Sequence, residues 1–339
     1  MLPLGSCRVA CAAVRLTAVA EERDRWHRWL LDVRHGGDPA YREQVLSALY
    51  PVRDEVLDRA ALRPDDTLLD VGTGDGLIAF GALDRLGPGG RVIFSDVSGD
   101  LLDHCQAAAA EAGQLSRCDF VLAPADDLAA VPESSVDVVT TRSVLIYVAD
   151  KAAAFAEFRR VLRPGGRISL FEPINVLMHE CGSRLFFGYD ISPVAEIAAK
   201  LSAQFAGIQP SGADPMVDFD DRDLVRLAEQ AGFADVRLDL RVTVRKRRPA
   251  APWDRFLRQS GNPNLPPLGE MLQRALSPVE LAAFTAHLRP LVEAGQGEDR
   301  NAVAYLTARD SVAASAADSA DRRAGQPAEQ TVAASRRSG

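Results

Sequence analysis

Leu68-Leu69-Asp70-Val71-Gly72-Thr73-Gly74-Asp75-Gly76 is the stretch whose reading decides the fold. An apolar run ends at Asp70 and Val71. Three glycines then alternate with small or acidic residues, and Leu77, Ile78, Phe80 and Leu83 follow at helical spacing. That order predicts a buried strand turning tightly into a helix, where a nucleotide-like ligand can approach bare backbone. A dinucleotide fingerprint needs G-x-G-x-x-G. Here the third glycine comes one residue early, and Leu77 stands where the fingerprint has glycine. A phosphate-binding P-loop needs Gly-Lys, and none of Lys151, Lys200 and Lys246 follows a glycine.

The next strand completes the signal. Arg91-Val92-Ile93-Phe94-Ser95-Asp96 is an apolar run ending in a carboxylate. It lies about 20 residues beyond the glycines, the spacing of a ribose-binding acid that accepts from two vicinal hydroxyls. Further apolar strands are expected at 67–71, 91–95, 119–123, 136–141 and 166–172, with helical stretches at 77–86, 99–112 and 150–162. Gly87-Pro88-Gly89-Gly90 and Arg163-Pro164-Gly165-Gly166 each end a helix and feed a strand. Alternating strands and helices argue for a parallel sheet covered on both faces.

At these residues the chain resembles the class I S-adenosylmethionine (SAM)-dependent methyltransferases. "LLDVGTGDG" is similar to their first motif, and "FRRVLRPGGRISLFEP" to the segment before their fifth strand. The resemblance implies a doubly wound α/β fold: a mostly parallel seven-stranded sheet with a final antiparallel strand. A helix at 222–231, a strand over 236–244 and a last strand over 302–308 match the family's closing pair. N-terminal helices precede the sheet, and helical insertions at 173–221 and 249–300 are expected to act as a substrate lid. The expected organisation is a disordered leader (1–21), a helical cap (22–62), the SAM-binding domain (63–310) and a disordered tail (311–339).

The resemblance also implies site roles. Gly72, Thr73, Gly74 and Gly76 would approach the cofactor's methionine part and sugar, with Asp70 below its amino group. Asp96 would take the ribose hydroxyls, and Val97 would pack on adenine. Asp126 would accept from the adenine amino group, or the backbone of Ala125 would, because Ala123-Pro124-Ala125 replaces the family's frequent Gly-Asp-Ala. Thr141 and Arg142 would face the methionine part, and Arg34, His35 or Tyr41 its carboxylate. For the acceptor, His35, Glu172, His179 and Tyr189 are the catalytic candidates: histidine is the natural base near neutral pH, and Glu172 ends a strand at the active edge. Phe171, Phe186, Phe187, Tyr189, Phe205 and Trp253 are expected to line an apolar substrate pocket.

Composition limits the acceptor. The 339 residues are 47% hydrophobic with a formal net charge of −8, so the basic footprint that nucleic acid demands is missing. The run Arg245-Lys246-Arg247-Arg248 reads as a solvated strand end. No apolar run approaches the ~18 residues of a membrane span. The five scattered cysteines indicate no disulfide or zinc framework, which points to a reduced, cytoplasmic setting. No Asn/Asp-Pro-Pro-Tyr motif and no Pro-Cys nucleophile are present, which disfavours DNA amino-methylation and RNA cytosine chemistry. "VDVVTTRSVL" and "HECGSRLF" are similar to segments of arsenite methyltransferases, but Ser143 stands where those have cysteine, so the thiolate set is incomplete. The expectation is O- or N-methylation of a small molecule of the secondary-metabolite kind, by a monomer or homodimer using SAM and no metal. The alternative is a SAM-binding regulatory or partner protein without transferase activity.

Overall fold

The computed structural model describes residues 23–180, 184–208, 214–246 and 248–310, side chains of 178–180 excepted. The sheet contains β1 (Thr67–Val71), β2 (Arg91–Asp96), β3 (Cys118–Leu122), β4 (Val136–Arg142), β5 (Leu162–Pro173), β6 (Phe233–Arg245) and β7 (Asp299–Asp310). Their spatial order is β3-β2-β1-β4-β5-β7-β6. β1 to β5 pair in parallel, and β7 runs antiparallel to both β5 and β6. The sequence order reverses between β1 and β4, so the crevice beyond their carboxyl ends is the switch point where ligands bind in open α/β sheets.

The helices α1 (Pro39–Ala60), α2 (Leu77–Leu83) and α3 (Gly99–Glu111) cover one face. Their core includes Val56, Leu57, Ile78, Phe94 and Leu102. α4 (Lys151–Val161) and α5 (Asp221–Gln230) cover the other, against Val139, Phe155, Phe158, Ile168 and Leu224. With both faces packed, β1 is buried continuously from Leu68 to Val71 rather than at alternate positions. Phe94 is wholly buried between Phe80 and Phe120, with ring centroids 5.2 and 5.0 Å away. Burying such a side chain contributes about 1.5–3 kcal/mol.

Local signals start and stop these helices. Asp38 caps α1 through the N–H groups of Ala40 and Tyr41, with Pro39 in the first helical position. Ser98 caps α3 through the Leu101 N–H, and Asp220 with Asp223 forms a capping box on α5. One boundary differs from expectation. Arg163-Pro164-Gly165-Gly166 forms the opening of β5 rather than a separate turn, with Gly165 at φ +81° and the register slipping opposite Val136 and Val138.

The two insertions build one helical unit. α6 (Leu268–Ala275) and α7 (Pro278–Glu293) pack with helices Ala195–Ile208 and Trp253–Arg258 around Leu201, Leu272, Phe284 and Leu288. This unit grips the N-terminal segment. Trp29 Nε1 donates to the Ser260 carbonyl at 3.2 Å, Arg258 donates to the Gly36 carbonyl at 2.9 Å, and Arg255 stacks 3.9 Å from the Tyr41 ring centre. Residues 25–33 are helical, and their last turn is wide: the Arg34 N–H reaches five residues back to the Trp29 carbonyl at 2.7 Å. The expected leader and tail, with Cys7, Cys11 and Cys181, lie outside the described residues. Cys105 and Cys118 are buried thiols.

Candidate active site

Parallel register sets the site. Val71 lies opposite both Ser95 and Thr141, Asp96 opposite Leu122, and Arg142 opposite Phe171. The residues that follow, Gly72, Val97, Ala123 and Ser143, therefore emerge along one sheet edge. A cavity of about 530 Å³ opens there, within the ~300–1,000 Å³ range of small-molecule sites. Gly72, Gly74, Asp96, Val97, Ala125, Asp126 and Arg142 line its sheet side. Trp26, Trp29, Leu30 and Arg34 close it from the N-terminal segment, Tyr147 from the turn after β4, and Met216 and Gly261 from the insertions.

Buried carboxylates hold this edge in shape. Asp96 accepts from the Gly74 N–H at 2.9 Å and from the Ser98 N–H at 2.9 Å. Burial raises its pKa against those bonds, and nearby Asp24 adds to the rise. The Ser98 hydroxyl donates to Asp24 at 2.6 Å, and Asp24 caps the first helix through the Trp26 and His27 N–H groups. The acid at the end of β2 is thus tied to the segment carrying the tryptophans. Gly72 takes φ +63°, and a Cβ there would stand 2.5 Å from Val144 Cγ2. The loop therefore needs glycine for both conformation and space.

Four of the expected cofactor contacts lie behind this wall. Asp70 accepts from the Thr73 and Thr140 hydroxyls, both at 2.8 Å, and burial pushes its pKa up to about 6. It braces the glycine loop from below, with Thr73. Gly76 begins α2 against Phe80 and Cys105. Thr141 alternates to the face opposite Arg142 and donates to Glu172 at 2.8 Å.

The expected catalytic set does not assemble. Glu172 is fully buried. It accepts from the Val144 and Leu145 N–H groups at 3.1 Å, anchoring the turn that presents Val144 and Tyr147. Burial pushes its pKa up to about 7. His35 packs edge-on to Tyr41 at 6.1 Å, outside the cavity lining, and burial with the Arg34 and Arg42 charges lowers it to about 4. Tyr189 belongs to the insertion core, 5.8 Å from Phe256. His179 lies on the helix Asn175–Glu180, and its side chain is outside the described ones. The expected aromatic lining is also displaced. Phe171 packs on Tyr305, and Phe186, Phe205 and Trp253 pack within the helical unit. The rings that do line the cavity are Trp26, Trp29 and Tyr147, in edge contacts of 5.1–6.4 Å. In the sequence those tryptophans carried only a helical pattern, which does not separate core from cavity wall.

A glycine loop at a switch point, an acid ending β2 and a cavity of this size are what a nucleoside site in a doubly wound sheet needs. Comparison with known proteins makes the class specific. The family described as "Methyltransferase domain" matches residues 69–170. Nocamycin O-methyltransferase of Saccharothrix syringae is 34% identical over 207 residues, covering 59% of this chain and 70% of that protein. The ubiquinone/menaquinone biosynthesis C-methyltransferase UbiE of Hahella chejuensis is 29% identical over 182 residues, covering 52% and 70%. An arsenite methyltransferase of Halobacterium salinarum is 32% identical over 116 residues, covering 34% and 29%. The chain belongs to the SAM-dependent methyltransferases. It is an enzyme whose methyl donor is SAM, and among the described residues no helix is long and apolar enough to cross a membrane.

Proposed function

We propose that this enzyme methylates an oxygen or nitrogen atom of a small-molecule acceptor. The observation that carries the reading is the two-sided cavity. A nucleoside-fitting edge on the sheet faces a compact wall of Trp26, Trp29, Tyr147 and Met216. A cavity of about 530 Å³ closed by two other chain segments suits a small acceptor better than a polymer. The name of the nocamycin O-methyltransferase relative supports the same class.

The donor set present fits SAM. The glycine loop is the cradle a Cβ would fill, and Asp96 keeps lone pairs for two ribose hydroxyls beyond the two N–H groups it already accepts. In this reading Val97 packs on adenine, Asp126 or the Ala125 backbone reads its amino group, and Gly72, Gly74 and Arg142 hold the methionine part. Asp70, Thr73, Gly76 and Thr141 act from behind the wall. When bound, the sulfonium supplies an activated methyl group with a neutral leaving group. The protein holds the acceptor in line and excludes water. The residues 25–34 and the insertions form the lid in this reading, since the Trp29–Ser260 bond closes them over the cavity.

Incubation with methyl-tritiated SAM and a library of oxygen and nitrogen small-molecule nucleophiles tests the proposal. Labelled product with stoichiometric S-adenosylhomocysteine (SAH) is expected from at least one acceptor class. Transfer to peptides or RNA but to no small molecule refutes it.

A further inference from the structure

Arg34 and Arg142 both line the cavity, and among the described residues neither guanidinium pairs with a carboxylate. The neighbouring Arg42, in contrast, pairs with Asp75 at 3.8 Å. The two cavity arginines feel each other: burial first, then the Arg142 charge, pull Arg34 below the usual arginine value. Asp75 offsets Arg34 and Asp70 offsets Arg142 only from beyond direct contact, and a half-buried cation without a contacting carboxylate is costly. Arg34 is held in this position by its stack on Trp29, 4.8 Å from the ring centre. The site therefore keeps two cations turned toward whatever fills it.

Charge counting then limits the acceptor. SAM carries one carboxylate, against an ammonium and a sulfonium. One arginine can take that carboxylate, and the other remains. The carboxylates lining the cavity are Asp96 and Asp126, at the ends of the strands that form the nucleoside edge. An amine acceptor would bring further positive charge to a wall that already repels it. A neutral phenol or alcohol would need a proton acceptor. Tyr147 is pushed up to about 12 by burial and stays protonated, Glu172 lies behind the wall, and His35 is outside the cavity lining.

Resting on the methyltransferase reading above, we propose that the acceptor is a carboxylic acid. Its carboxylate sits on the arginine that the cofactor leaves free, and its apolar body lies against Trp26, Trp29 and Tyr147. The planar guanidinium matches a carboxylate in two parallel hydrogen bonds. A carboxylate is already ionised at neutral pH. Its oxygen lone pair forms the new O–CH3 bond as the methyl–sulfur bond breaks, the electron pair of that bond stays on sulfur, and no proton moves. The product is a neutral methyl ester, which the arginine holds less well than the acid, so release follows transfer.

Calorimetry on the SAH-loaded enzyme tests this apart from turnover. Sodium benzoate and benzamide are the probes, equal in shape and different in charge. Benzoate is expected to bind at least tenfold more tightly. Arg34→Met and Arg142→Met should separate the two anions: one variant loses SAH at least tenfold, and the other loses benzoate at least tenfold while holding SAH within threefold. Benzoate bound no better than benzamide, or both variants losing SAH alone, overturns the carboxylic-acid assignment. Failure of the wild-type enzyme to bind SAH would instead overturn the cofactor reading beneath it.

Discussion

Asp96→Asn is the substitution that most directly interrogates the site. The side chain already accepts from the Gly74 N–H and the Ser98 N–H, both at 2.9 Å, with one oxygen committed to each. Ribose hydroxyls would use the remaining lone pairs, two hydrogen bonds to a charged acceptor at about 1.5–3 kcal/mol each. Asparagine keeps one acceptor oxygen and turns an NH2 group toward a donor. One charged bond is lost, and the other falls to neutral strength, about 1 kcal/mol less. The expected loss is about 3 kcal/mol, roughly a hundredfold in Kd. Calorimetric titration with SAH at neutral pH measures it, and a urea-unfolding curve on the same sample shows whether the fold is intact. A second arm follows from the pKa raised by burial. Ribose binding favours the ionised carboxylate, so affinity is complete above the folded pKa and falls as pH drops through it. In the wild type that fall begins above the ordinary carboxylate value, and Asp96→Asn lacks it. An Asn variant that binds SAH within threefold of wild type would place the ribose elsewhere and refute the reasoning.

Two further substitutions probe the frame. Glu172 is raised to about 7 from 4.5, so between those values the folded state holds a proton the unfolded chain has released. Stability should therefore fall by roughly 3 kcal/mol as pH rises through that window and level off above it, and Asp70, raised to about 6 from 3.8, acts in the same direction at lower pH. Urea unfolding across this range should show a shallower decline for Glu172→Gln than for wild type, and superimposable pH curves are the contrary result. Gly72→Ala places a Cβ 2.5 Å from Val144 at φ +63°, which should cost about 1–3 kcal/mol in backbone strain and displace Val144 toward the cavity. The urea midpoint should drop and SAH affinity weaken together, and an unchanged midpoint would mean that the loop is looser than its geometry implies.

The sheet and the residues along its cavity edge were legible because their determinants are local. β1, β2 and β4 are apolar runs bounded by turn residues, and Gly72, Asp96, Val97 and Arg142 lie at or just beyond the ends of those strands. Asp96 needs only the count from Gly74, and Val97 only its place after Asp96. Parallel register then aligns those strand ends whatever else the chain does. The seven strands fall within a few residues of where their apolar runs lie, apart from the Pro-Gly-Gly segment drawn into β5.

The wall of Trp26, Trp29 and Tyr147 has the opposite character. Trp29 reaches the cavity because its indole bonds Ser260, 231 residues away, and no local pattern encodes that pairing. Position in the sequence also misled at the strand ends. Glu172 and Thr141 both stop at the active edge, but side chains alternate along a strand, and here they bond each other on the far side of the wall from Arg142. A carboxylate at a strand end is thus an anchor for the turn after β4, held by the Val144 and Leu145 N–H groups and not part of the cavity lining. Arg34 shows the same dependence on distant chain. Its sequence neighbourhood is a helix-breaking Gly36-Gly37-Asp38, yet the Arg258 bond to the Gly36 carbonyl fixes that break and turns Arg34 inward beside Arg142. The acceptor that the site takes therefore depends on which charges the tertiary structure leaves without a contacting partner, and two arginines on the cavity wall are what the proposed anionic nucleophile would meet.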